Sequence, residues 1–196
     1  MSRRPSGAPR HIDPRRGFSL AEMLVVLVIF GILVAMAAPR INLAPAATRS
    51  AASITGTALL VAQRGAVARQ HNVVVAFDAS GRRIRVHYDV NNDGRVQGGE
   101  MANWQPLTAG VVFGRAAAPA GRAGTAAISF KGRQDGYPAI YFMRNGSASE
   151  EGGFYLATAA NQAANRSSNV RMVVVDRATG RPTWQVYDGT KWTNEF

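Results

Sequence analysis

An α+β chain, with one long N-terminal helix laid against an antiparallel β-sheet domain, is what the sequence predicts. Three observations predict it. Residues 18–39 form an apolar run interrupted by a single acid. Residues 46–71 repeat small and apolar positions at helical spacing. From Asn72 onward the apolar period drops to two, the signature of strands. The composition agrees: 196 residues suit one domain with an appendage. With 46% hydrophobic and 18% charged residues, the chain lacks the low hydrophobicity that disorder requires. There is no cysteine, which excludes a disulfide scaffold, a Cys-ligated metal and a thiol nucleophile.

Residues 1–17, MSRRPSGAPRHIDPRRG, hold five arginines, one aspartate and three prolines without apolar periodicity, and read as a basic leader. Residues 18–39, FSLAEMLVVLVIFGILVAMAAP, follow. At about 1.5 Å per residue such a helix reaches across a hydrocarbon core of roughly 30 Å. Arginines before the span, and few basic residues just after it, place the leader in the cytoplasm and the residues beyond 40 outside. An ordinary secretory signal has the same outline, with Ala35-Met36-Ala37 as its cleavage site and a soluble protein starting at Ala38. Glu22 opposes that alternative, because an acid inside an apolar helix costs a few kcal/mol and marks a function or a partner.

Arg15-Arg16-Gly17-Phe18-Ser19-Leu20-Ala21-Glu22-Met23-Leu24-Val25-Val26 resembles the processing motif of type IV prepilins and type II secretion pseudopilins. The resemblance implies cleavage between Gly17 and Phe18 by a prepilin peptidase, N-methylation of Phe18, and a single-pass inner-membrane protein with a periplasmic C-terminal domain. It also implies an assembly role for Glu22, which needs a cation inside a helix bundle. The α-amino group of Phe18, from the same or a neighbouring subunit, supplies one. Partners on this reading are other pilins or pseudopilins, met through the N-terminal helix.

Pro39 and Pro45 interrupt the helical pattern, and Pro39 is expected to kink the helix, so that residues 40–71 continue it. Ile54, Ala58, Val61, Gly65 and Ala68 form the expected packing stripe of this amphipathic half. In residues 72–196, alternation marks strands over 73–77 and 84–88, joined at Ala79-Ser80-Gly81. Further strands are expected over 110–114, 126–131, 139–143, 153–158, 169–176 and 183–188, with turns at Asp135-Gly136, Asn145-Gly146 and Thr179-Gly180 and a loop or short helix over 159–168. With Val73-Val74-Val75-Ala76-Phe77, Ile128-Ser129-Phe130, Met143-Arg144-Asn145-Gly146 and Val173-Val174-Val175, this order is similar to the minor pseudopilins of the GspH and FimT type. That likeness implies a pilin-like fold and an assembly role in a type II secretion pseudopilus or a type IV pilus. Gly180-Arg181-Pro182-Thr183 departs from the group's closing pattern of Gly-Arg followed by apolar and basic residues.

Two further chemistries are written into the exported domain. Residues 89–100 fit the calcium-loop pattern D-x-[DN]-x-[DN]-G-x5-E, with Asp89, Asn91, Asp93, Arg95 through its carbonyl, Gln97 and Glu100 at the ligand positions. The alternative is an Asn-Asp-Gly turn of a β-hairpin, and no amphipathic helix leads into the loop. A calcium-stabilised exported domain behind an ordinary signal peptide is a third reading of the whole chain. Arg171, Arg177 and Arg181, with Arg166 and Lys191, stand near Trp184, Tyr187 and Trp192 and suggest DNA binding, basic groups holding phosphates while aromatic rings stack on bases. The competing account is a solvated basic surface over core aromatics.

No enzyme is expected. His11 lies in the leader, His71 at a helix end and His87 on what alternation makes the outward face of a strand; no metal, triad or phosphate-loop spacing appears. The net charge of +11 belongs partly to topology, since removal of the leader leaves the mature chain at +7.

Overall fold

The computed structural model describes residues 18–37 and 44–195, and the chain divides into two compact units, Met1–Asn42 and Leu43–Phe196. Gly17, Pro39 and Arg40, and with them the expected cleavage bond and kink, lie outside the described residues.

In the first unit α1 runs over Leu20–Ala37. Ser19 starts it: its hydroxyl and its carbonyl both accept the amide of Glu22, at 3.2 and 3.1 Å, so two of the acceptors that begin a helix sit on one residue. Glu22 falls in the first turn, where the positive end of the peptide dipoles favours an acid. Beyond it the helix is apolar all round, and its large side chains are at least half exposed. Such a surface belongs in lipid or among other helices. Among the described residues no helix is long and apolar enough to cross a membrane. The 18 residues of α1 rise about 27 Å, and the apolar sequence continues to Pro39, past the described part.

The second unit opens with α2, Ala44–Arg69, with Pro45 in its first turn, where a missing amide hydrogen costs nothing. Ten strands follow: β1 Asn72–Asp78, β2 Arg83–Asp89, β3 Ala102–Pro106, β4 Val111–Phe113, β5 Arg133–Gln134, β6 Tyr137–Phe142, β7 Gly152–Thr158, β8 Arg171–Val175, β9 Pro182–Tyr187 and β10 Trp192–Asn194. A one-turn helix α3, Ala159–Ala163, is capped by the Thr158 hydroxyl. The strands form two antiparallel sheets, ordered β3-β2-β1-β6-β5 and β10-β9-β8-β7-β4.

Helix α2 lies over both sheets, and its buried face corrects the expected stripe. Thr48, Ala51, Ala52, Thr55, Gly56, Leu59, Ala62 and Ala66 face inward together with Ala58, the member of the expected stripe that is buried, whereas Ile54 and Val61 are 47% and 51% exposed. Small residues win the interior because two sheets meet beneath the helix and the backbone must come close to both. Threonine is tolerated there because each buried hydroxyl bonds a carbonyl one turn back, Thr55 to Ala51 at 2.8 Å and Thr48 to Ala44 at 3.0 Å. Trp184 of β9 fills the gap over Gly56 and donates its indole N–H to the Ala52 carbonyl at 3.0 Å.

The main core lies between α2 and the sheets. Phe77 contacts Phe113, Phe130 and Phe154 at ring-centroid separations of 5.1–6.0 Å, and Leu59, Val75, Ile140, Leu156 and Val173 close around them. A second core lies on the outer face of the second sheet, where Tyr155, Met172, Val174 and Tyr187 are covered by Ala118 and Ala123. Strand β7, with an interior on each side, is buried at all seven residues. Residues 126–131, expected as a strand, run irregularly and touch β7 through one bridge, Ile128 to Phe154. The predicted Asp135-Gly136 turn does form, both residues at positive φ (51° and 83°), as a two-residue hairpin requires.

Candidate functional site

Phe18 and Glu22, the described members of the predicted processing and assembly motif, lie at the N-terminal end of α1, with Phe18 75% exposed. They are four positions apart in the sequence, about one helical turn.

The loop of residues 89–100 joins β2 to β3. Its predicted ligands serve the chain itself. Asp89 is fully buried, and its two oxygens accept the amides of Asp93 (3.0 Å) and Gly94 (2.9 Å). Asn91 accepts from the Asp93 amide at 3.1 Å, and Asp93 accepts from the Arg95 amide at 2.8 Å and from the Gln97 side chain. Glu100 accepts the amides of Val90 and Gln97, each at 3.0 Å, and lies 2.9 Å from His87. These bonds, the one to His87 foremost, hold its carboxyl below the usual range. Among the described residues no three histidine, aspartate or glutamate side chains converge to hold a metal ion.

His87 does not face solvent. It is fully buried, because the loop of 89–100 and the turn carrying Gln134 cover this part of the first sheet's outer face. Alternation along β2 gives the correct face but cannot show that loops roof it, and nothing in the sequence pairs residue 87 with residue 134.

The basic–aromatic group separates. Arg171 is buried, makes two 2.7 Å bonds to Glu195 and donates to the Thr48 hydroxyl, so it holds α2 to β8 and is closed to a nucleic acid. Arg177 and Arg181 are exposed. The aromatic partners are turned inward: Trp184 onto α2, Tyr187 into the second core, and Trp192 to the Pro119 carbonyl at 3.3 Å and the Tyr155 ring at 5.7 Å. Of the predicted basic group, Arg166, Arg177, Arg181 and Lys191 are exposed, while the three aromatic residues pack against the chain itself.

Residues 13–38 match the family model described as the prokaryotic N-terminal methylation motif. The N-terminus is type IV prepilin-like. No curated protein matches the chain. Among solved structures, two of the minor pseudopilin EpsH from the type II secretion system of Vibrio cholerae are similar. One is 15% identical over 74% of this chain and 98% of that one, with a TM-score of 0.43. The other is 16% identical over 76% and 99%, with a TM-score of 0.44.

Besides the prepilin-like N-terminus, one surface of the second unit is open and apolar. A groove of about 470 Å³ runs between α2 and the β2–β3 side of the first sheet, lined by Ile54, Ala58, Val61, Val86, Tyr88 and Met101 among others, and by no charged residue. It exists because the helix packs through its small-residue face and leaves Ile54 and Val61 beside, instead of upon, the sheet.

Proposed function

We propose that the chain is a minor pseudopilin of the GspH type, a structural subunit that joins a short periplasmic filament of a type II secretion system or a type IV pilus. The methylation-motif match over residues 13–38 carries this reading, with Gly17, Phe18 and Glu22 at the motif's positions. Residues 18–39 anchor the precursor in the inner membrane with the β domain in the periplasm. Prepilin peptidase cuts between Gly17 and Phe18, and Phe18 is then methylated. In the filament the apolar surface of α1 exchanges lipid for the helices of other pilins, and Glu22 meets the amino group at residue 18. An unpaired carboxylate in that environment is so costly that register is selected by the pairing. The subunit works by assembly and contact, not by turnover.

Mass spectrometry of the mature N-terminus, after co-expression with a prepilin peptidase, tests the proposal. The expected product starts at N-methylated Phe18, and Gly17→Val blocks its formation. A product starting at Ala38 would identify an ordinary signal peptide and overturn the reading.

A further inference from the structure

Two segments far apart in the sequence, residues 90–101 and residues 131–136, cover the outer face of the first sheet and meet on one imidazole. His87 Nε2 lies 2.9 Å from Glu100 Oε2, and Nδ1 lies 2.8 Å from Gln134 Nε2. The direction of each bond follows from chemistry. Gln134 is 2% exposed; its Oε1 is 3.0 Å from Arg85 Nη2 and its Nε2 is 3.0 Å from the Gly94 carbonyl. A guanidinium only donates and a carbonyl only accepts, so the orientation of the amide is fixed. Nδ1 of His87 must then accept, and the imidazole carries its proton on Nε2, aimed at Glu100. Three donations run in one sense through four side chains, Arg85 to Gln134 to His87 to Glu100, and chains of that kind strengthen each member. Asp135, 2.6 Å from Arg85, anchors the first end; the Val90 and Gln97 amides anchor the last.

We propose that this chain is a clasp: the 90–101 loop and the 131–136 hairpin open and close as one unit, pinned together by His87 and by the direct bond from Gln134 to the Gly94 carbonyl. The start of β3 moves with them, because Glu100 is followed directly by Met101, which lines the apolar groove, and Met101 accepts the amide of Tyr88 at 2.9 Å. The clasp therefore sets the width of the groove's β3 side. Removing a link on one loop exposes the other, which independent loops do not do.

Hydrogen exchange read by mass spectrometry on the detergent-solubilised full chain tests the coupling. Gln134→Ala is expected to speed exchange in peptides of residues 90–101 by about fivefold or more, and Glu100→Ala to do the same in residues 131–136, each the loss of about one hydrogen bond's worth of local protection. The double variant adds little to the larger single effect, while peptides from β8 and β9 keep their protection. The clasp is overturned if each variant loosens only its own segment, or if the two effects sum. Should an alanine variant lose protection in β8 and β9 as well, Gln134→Asn and Glu100→Gln, which stay polar but break the alignment, give the same cross-response at smaller amplitude or overturn the proposal by its absence.

Discussion

Replacing glycine by alanine inside a helix ordinarily stabilises it by about 1 kcal/mol, yet Gly56→Ala is expected to destabilise this domain. A Cβ on residue 56 would stand 2.1 Å from Trp184 Cζ2 and 2.3 Å from Cε2 and Nε1. The obstacle is a rigid bicyclic ring held by the 3.0 Å bond to the Ala52 carbonyl, so relief requires moving the whole indole. Overpacking of this kind costs about 1–3 kcal/mol, and loss of the indole hydrogen bond adds about 1 kcal/mol. Set against the helix gain, the net loss is about 1–3 kcal/mol, which for a domain of this size lowers Tm by roughly 2–12 °C. Thermal unfolding followed by far-UV circular dichroism reads it. The decisive comparison is made in a Trp184→Leu background, where the obstruction is gone and Gly56→Ala should stabilise by about 1 kcal/mol. The same sign of effect in both backgrounds would refute the close approach of α2 to β9 as the reason for the glycine.

Arg171→Ala should cost about 2 kcal/mol or more, because it removes both short bonds to the largely buried Glu195 carboxylate and leaves it the longer contact with Arg49 at 3.5 Å. Arg177→Ala and Arg181→Ala should stay within about 0.5 kcal/mol of the parent in the same melts. Acid should act through two turns. Asp78 is held down to about 2 by the Gly81 amide first, then by Ser80 and Arg83, and Asp188 to about 2 by the Lys191 amide, then by Thr190. Both values lie below the ordinary 3.8, so this stabilisation is complete above about pH 4 and disappears as pH falls toward about 2. Asp78→Asn should flatten the decline of Tm over that window, and parallel curves for variant and parent would contradict the assignment. Because Asp89 and Glu100 already accept backbone amides and the His87 bond, Tm is expected to be the same in about 1 mM Ca²⁺ and in chelator. A rise of several degrees with Ca²⁺ would show that the loop rearranges around the ion.

What was legible in the sequence followed from local rules. The apolar run with its one acid, the change from helical period to period two, and the Asp135-Gly136 turn need only neighbouring residues for their interpretation. What escaped depends on partners distant in sequence. Ala-Asn-Trp-Gln-Pro does not alternate as an amphipathic strand should, yet it forms β3 by completing the edge beside β2. The face of α2 differs from the expected stripe because Ile54 and Val61 are large apolar residues, whereas two sheets beneath one helix take mostly small ones, Leu59 excepted. Arg171 reads as a surface cation in the sequence but is enclosed by β8 and α2, and the His87–Gln134 contact joins two strands that no spacing connects.

The grip of Arg171 on Thr48 and Glu195 has a mechanical consequence. Tension applied at the start of α2 would enter at Ala44, the first residue of that helix, and Thr48 lies one turn further on. From there the load reaches β8, the middle strand of its sheet, bonded to β7 and to β9 over five residue pairs on each side. Arg171 therefore fastens the start of α2 to the centre of a sheet, not to an edge that could peel. The link itself is the Arg171–Thr48 bond, and the two bonds from Arg171 to Glu195 hold the guanidinium in place to make it.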